Sequence, residues 1–332
     1  MYLNSFSKSL KEIKKDYYLE QLINCEGNGL IKIVTGIRRC GKSYLLRTLF
    51  KNHLLENGVD EKHIIGMAFD LYYFLLDEVQ LLDEFVSVLN GLADKKNCDV
   101  FVTGSNAKFL SRDIATEFGG RGDEVHMYPL SFSEFMSCYD GNKYDGWNEY
   151  ITYGGIPLVV LAETDEQKVN LLDNMFQETY ISDIVKRNKI RNVGEMESLL
   201  DVLASAIGVL TNPNKLQKTF KSVNNSKITA TTITKYIEYL EDAFLIEEAN
   251  RYDIKGKSYI GTPMKYYFMD MGLRNSRIHY RQLEVTHSME NVIYNELRMR
   301  VSIRDRAICV HTIFIKKIST HLLTVLTTGC IT

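Results

Sequence analysis

The chain has 332 residues, 45% hydrophobic and 25% charged, with a formal net charge of −2. That length accommodates two or three domains of ordinary soluble composition. A charge so near zero excludes a globally basic nucleic-acid binder, and no apolar run is long enough to span a bilayer.

Residues 1–15 are polar and lysine-rich, without the apolar core of a signal peptide. The six cysteines are scattered with no C-x-x-C pair, so reduced thiols and a cytoplasmic location are expected, with neither disulfides nor a thiolate metal site. The spacing of Phe6, Leu10, Ile13 and Tyr17 predicts an amphipathic helix over 4–24, broken by Gly27-Asn28-Gly29.

An apolar, β-branched run at 30–34 then reads as a buried strand. It leads into Gly36-Ile37-Arg38-Arg39-Cys40-Gly41-Lys42-Ser43, which fits G-x-x-x-x-G-K-[ST] residue for residue, and a helical pattern follows over 43–50. Gly36 and Gly41 let the backbone turn successive N–H groups toward phosphate oxygens, and the helix start adds the positive end of its dipole. Lys42 is expected to reach the β- and γ-phosphates and the Ser43 hydroxyl to ligate Mg²⁺. The plainer alternative is a glycine-rich turn that only caps a helix.

Asn57-Gly58 marks a turn, 63–69 reads as a second strand, and 71–76 as a third that ends in Asp77-Glu78. A hydrophobic strand ending in Asp-Glu resembles the second signature of P-loop ATPases, with Asp77 expected on Mg²⁺ and Glu78 as the base that polarises water. An acidic pair merely ending a strand at the surface is the alternative. A helix over 82–91 precedes a strand over 99–102, after which Ser105 and Asn106 are candidates for sensing the γ-phosphate, or for capping the next helix. Arg121 sits in the loop Gly119-Gly120-Arg121-Gly122, as a candidate for stabilising charge on the transferring phosphoryl group or as an ordinary loop arginine.

Ser131-Phe132-Ser133-Glu134 is a capping box. The phosphate loop, Leu76-Asp77-Glu78-Val79-Gln80, Thr103-Gly104-Ser105-Asn106, Gly120-Arg121 and Pro129-Leu130-Ser131-Phe132-Ser133-Glu134-Phe135 follow one another in this order. Together they resemble the prokaryotic ATP-binding proteins of the AAA superfamily that carry a C-terminal domain of unknown function. The resemblance continues through Tyr153-Gly154-Gly155-Ile156-Pro157, Asp183-Ile184 to Arg187, Asp270-Met271-Gly272-Leu273-Arg274 and Glu290-Asn291 to Glu296-Leu297, as far as about Arg300. It implies an α/β fold with a P-loop NTPase parallel sheet of AAA type over 1–140, a helical lid over 141–192, a winged helix over 193–275 and an incomplete α/β region over 276–332. It also implies ATP and Mg²⁺ as cofactors, and ATP hydrolysis as the activity.

The patterns within the third region agree. They predict helices over 196–207, 215–223 and 229–243, then strands over 244–246 and 265–268 with Lys255-Gly256-Lys257 as a turn between them. Lys215, Lys218, Lys221, Lys227, Arg251, Lys255 and Lys257 form a basic set suited to DNA phosphates, but Glu238, Glu241 and Asp242 are expected on the exposed face of the third helix and would repel them. DNA, a second copy of the chain or another protein therefore stand as candidate partners. An ATP-gated DNA-binding or regulatory module, or a degenerate inactive relative, are the rival readings.

The chain departs from the family pattern twice. Only Asp70 separates the strands at 63–69 and 71–76, where parallel neighbours need a crossover of about a dozen residues. Either 63–76 is one long strand, or a strand and its covering helix are missing. The resemblance places Glu290 and Glu296 on the first helix of a nuclease-like fold. Residues 306–332 contain no Asp or Glu, so no metal-dependent nuclease site is expected to be completed there.

Overall fold

The computed structural model describes residues 15–64, 72–79, 84–95, 97–105, 122–224, 226–249, 264–281 and 285–300. Helix α1 is Asp16–Cys25; the earlier part of the helix expected over 4–24 lies outside the described residues. Strand β1, Ile31–Thr35, is buried throughout, as its Ile-Lys-Ile-Val-Thr run demands of a central parallel strand. Helix α2 follows the glycine loop without interruption, as α-helix over Lys42–Tyr44, π-helix over Leu45–Phe50 and α-helix again over Lys51–Glu56.

Strand β2 (Tyr72–Leu76), helix α3 (Phe85–Ala93), strand β3 (Cys98–Thr103) and strand β4 (Gly122–His126) complete the nucleotide-binding half. The sheet has the order β2-β3-β1-β4 and every pairing is parallel. Strand alternation splits its side chains between two layers. Ile31, Ile33, Val100 and Val102 meet Leu89 of α3 on one face, while Val34, Phe101 and Leu75 meet Leu45, Phe50 and Leu22 from α2 and α1 on the other. The Phe50 and Phe101 rings are 4.4 Å apart between centroids. Lys32 also points into this core, with 0% exposure, paired with Asp99 at 3% and donating to the Leu30 carbonyl at 2.9 Å. Such a pair adds little net stability, but removing one partner strands a buried charge.

Two expectations are corrected here. His63 belongs to a short 3-10 turn, Glu61–His63, which Asp60 caps, so no strand starts there. Ile64 then forms an isolated parallel bridge with Tyr73 of β2, which rules out a single long strand over 63–76, since one strand cannot lie beside itself. Residues 65–71, where the rest of the expected strand would fall, lie outside the described residues.

The capping box at Ser131 and Glu134 is present and opens helix α4 (Phe132–Cys138). The expected helical segment consists of α5 (Lys143–Tyr153), α6 (Pro157–Val160) and α7, which is continuous through Asp165–Asn174, Met175–Ile181 and Ser182–Asn188. Helices α8 (Val193–Ser205), α9 (Pro213–Asn224) and α10 (Ala230–Asp242) come next, then strands β5 (Ile246–Ala249) and β6 (Lys265–Phe268), paired antiparallel. Phe244, expected to start a strand, instead has φ 54° in the turn before β5. Gly194 lies in the first turn of α8, which Asn192 caps. The turn expected at 255–257 lies outside the described residues.

Helix α11 (Met271–Arg277) is buried along nearly its whole length and packs against α5, α7 and α8. The Asp270 carboxylate accepts the N–H groups of Gly155 (2.8 Å) and Leu273 (3.1 Å), and its burial raises its pKa to about 6. Gly154 must be glycine there: its φ is 79° and a Cβ would sit 2.2 Å from Asp270 Oδ1. Helix α12, Val285–Arg300, closes the described chain. Among the described residues no helix is long and apolar enough to cross a membrane, and Cys25, Cys40, Cys98 and Cys138 are free thiols.

Candidate nucleotide site

The site lies where the C-terminal ends of β1, β2 and β3 meet, the end of an open parallel sheet at which ligands bind. After Thr35 the chain turns through Gly36 (φ 134°), Arg39 (φ 64°) and Gly41 (φ 105°) before α2 begins. Interspersed left-handed residues of this kind make backbone N–H groups converge on an anion. Gly36 tolerates no side chain, because a Cβ would sit 1.9 Å from the Met127 carbonyl oxygen. Cys40 is buried and its thiol donates to that same carbonyl at 3.5 Å, so the residue after β4 braces the loop from behind.

Lys42 is 5% exposed and bends back over the loop, donating to the carbonyls of Gly36 (2.9 Å) and Ile37 (3.0 Å). An ammonium has three donors, so this posture holds the charge at the loop and leaves an N–H for a phosphate oxygen. One residue on, Ser43 Oγ donates to Asp77 Oδ1 at 3.1 Å. A hydroxyl and a carboxylate at that separation are the two protein ligands that a P-loop Mg²⁺ takes. Asp77 Oδ2 faces the Arg47 guanidinium at 3.5 Å.

Glu78 takes a left-handed conformation (φ 50°) immediately after β2. Its N–H donates to Thr103 Oγ1 at 2.9 Å, and its Oε2 accepts from the Ser105 hydroxyl at 3.1 Å. The expected residues Lys42, Ser43, Asp77, Glu78 and Ser105 are therefore gathered at one sheet end. Asn106 and Arg121 lie outside the described residues.

Sequence reasoning missed two residues. Thr103, the last residue of β3, donates to Asp77 Oδ1 while accepting the Glu78 N–H, so one hydroxyl fixes both acidic residues. Its position at a strand end next to the Gly104-Ser105 turn was a readable signal. Asp183, in the Ser182–Asn188 stretch of α7, lies 3.2 Å from the Arg38 guanidinium; nothing local in the sequence pointed to that pair.

The two carboxylates expected on a nuclease-like helix are engaged elsewhere. Glu290 accepts from Lys265 and from the Tyr267 hydroxyl. Glu296 accepts the Phe132 N–H at 2.7 Å, at the start of α4, and pairs with Arg300. Among the described residues no cluster of three His, Cys, Asp or Glu side chains could hold a metal.

Comparison with known proteins finds two family matches. The AAA domain family matches residues 28–136, and a domain of unknown function (DUF8612) matches residues 144–284. An uncharacterized protein of Haemophilus influenzae is 32% identical over 319 residues, covering 87% of this chain and 79% of that protein. An uncharacterized protein of Methanocaldococcus jannaschii is 28% identical over 324 residues, covering 89% and 71%. Among solved structures, a Walker-type ATPase of Pyrococcus abyssi superposes with a TM-score of 0.57 at 15% identity, over 80% of this chain and 96% of its own. At that identity the likeness concerns the fold alone.

Proposed function

This chain belongs to the AAA superfamily of P-loop ATPases, and from that premise we propose that it binds ATP with Mg²⁺ at residues 36–43 and hydrolyses the γ-phosphate. The observation that carries the reading is the approach of Ser43 and Asp77 to 3.1 Å beneath a loop whose lysine is already turned onto it. Lys42 binds the β- and γ-phosphates, and the backbone of Gly36 to Gly41 cradles them. Ser43 and Asp77 would hold Mg²⁺, which would neutralise negative charge on the phosphates. Glu78 takes the proton from the attacking water, with Ser105 orienting its carboxylate. The thiols and the absence of a spanning helix among the described residues suit a cytoplasmic enzyme.

Helices α8, α9 and α10 with the β5–β6 pair make up the proposed winged-helix domain over 193–275. The lid is proposed over 141–192 and a C-terminal region over 276–332. The exposed positions of α10 are Thr231, Thr234, Lys235 and Glu238, while Glu241 is tucked against the Glu248 N–H at 2.9 Å. That face is close to neutral, which gives a phosphate backbone little to bind, so ATP turnover is preferred over a DNA-binding role.

Replacing Glu78 with Gln tests the chemistry. The variant keeps the shape and the Ser105 bond but cannot accept the water proton, so ATP affinity is expected to stay near wild type while turnover falls by roughly 10²–10⁴-fold. Turnover at the wild-type rate would remove Glu78 from the base role.

A further inference from the structure

Arg38 is fixed in the phosphate loop, yet its guanidinium serves two other partners. Nε donates to Ser105 Oγ at 3.3 Å, and Nη2 lies 3.2 Å from Asp183 Oδ1 in the last stretch of α7. Asp183 is shared in turn, because its Oδ2 pairs with Arg187 one helical turn on. The Tyr180 hydroxyl, from the same helix, donates to the Arg38 carbonyl at 3.3 Å. Only arginine offers separately directed donors in one rigid fork, so a lysine at this position cannot span both partners.

Burial separates this pair from the structural ones. Lys32 and Asp99 are 0% and 3% exposed, a fixture of the core. Arg38 and Asp183 are 32% and 31% exposed, so water and other anions can reach them. Pairs that water reaches in this way are weaker than buried ones and exchangeable.

We propose that the Arg38–Asp183 pair is a nucleotide-responsive latch, in which the phosphates of a bound nucleotide and the carboxylate of Asp183 compete for one guanidinium. The inference rests on the ATPase reading above and adds the regulation of that site. Nucleotide entering the loop draws Arg38 away from Asp183 and loosens residues 182–188 from the loop. Coupling between two equilibria is reciprocal: a helix held elsewhere, by a partner or a substrate, releases Asp183 and tightens nucleotide binding. The same guanidinium donates to Ser105, whose hydroxyl holds Glu78, so the exchange also reaches the carboxylate proposed as base.

The test measures binding of the β,γ-imido analogue of ATP with Mg²⁺ by calorimetry, alongside amide hydrogen exchange across 176–190. It compares the full-length wild type, Asp183→Asn and Arg187→Gln. Removing the competing charge in Asp183→Asn is expected to tighten nucleotide binding about fivefold, at the low end of allosteric couplings. In wild type the nucleotide speeds exchange in 182–188; in Asp183→Asn that segment exchanges faster from the outset and no longer responds. Arg187→Gln leaves the whole Asp183 charge to Arg38 and is expected to shift affinity the opposite way, which damage to the fold cannot mimic because it would weaken both variants. Equal or weaker binding in Asp183→Asn, or an exchange response like that of wild type, overturns the latch alone. No binding by the wild type overturns the ATPase reading and the latch with it.

Discussion

At the residue scale the most informative side chain is Thr103. A single hydroxyl has one proton to donate and lone pairs to accept, and here it donates to Asp77 while accepting the Glu78 N–H. It thereby sets the spacing between the proposed metal ligand and the proposed base. Thr103→Val keeps the shape and removes both bonds. The cost of a buried group left unpaired is roughly 1–3 kcal/mol, so urea unfolding is expected to show a loss of that size, and ATP turnover to fall with it. Unchanged stability and turnover would mean the two acidic residues hold their own positions. The eight residues of the loop were legible in the sequence because a left-handed backbone, a lysine and a hydroxyl at fixed spacing leave a local imprint. Thr103 and Asp183 act on partners, Asp77 and Arg38, that lie 26 and 145 residues away in sequence (103 − 77 and 183 − 38), and a pattern read within one turn or strand does not register such pairs.

At the element scale, legibility followed burial. Strands β1 and β3 carry apolar β-branched runs because both sheet faces are covered, and they were read to within about a residue. Strand β4, Gly-Asp-Glu-Val-His, was not anticipated, because an edge strand half in solvent carries few apolar residues. The α10–β5 corner shows the opposite effect, acidic residues drawn inward. Glu241 was read as a solvent-facing charge, but it is largely buried, and desolvation together with Glu248 raises its pKa to about 7 from an ordinary 4.5. Because the folded chain holds this proton more tightly than the unfolded one, the stability it contributes is full below pH 4.5 and is lost as pH rises through 7. Glu241→Gln keeps an acceptor for the Glu248 N–H and removes the charge. It is expected to be more stable than wild type at pH 8, by up to ~3 kcal/mol, with the difference vanishing below pH 4.5. Denaturant unfolding at the two pH values measures this, and a pH-independent difference would contradict it.

At the scale of the whole molecule, the helical segment after β4 and the region that follows it are joined by polar contacts between buried groups. Asp270 receives Gly155, Asn275 donates to the carbonyls of Ile151 and Thr152 at 2.8 and 2.9 Å, and Arg274 donates to that of Ala204 at 2.7 Å. Glu296 reaches from α12 to the first turn of α4. These bonds account for the motifs at Gly154-Gly155 and Asp270 to Arg274, which the sequence offered without a role. Beside that frame, α7 meets the phosphate loop through the half-buried Arg38–Asp183 pair, a contact that can be exchanged. The short connection before β2 was the sequence's strongest argument against a working site. Ile64 beside Tyr73 and the convergence of Ser43, Asp77 and Thr103 support a sheet end that is intact where the nucleotide would sit. The most direct test is a thermal unfolding scan of wild type and Lys42→Ala, each with and without Mg²⁺-ATP. A ligand that binds only the folded chain adds ~3 kcal/mol at a hundredfold excess over its dissociation constant. A cooperative transition that Mg²⁺-ATP raises in wild type and not in Lys42→Ala is the predicted result; a wild-type transition that ATP leaves unmoved would contradict the account.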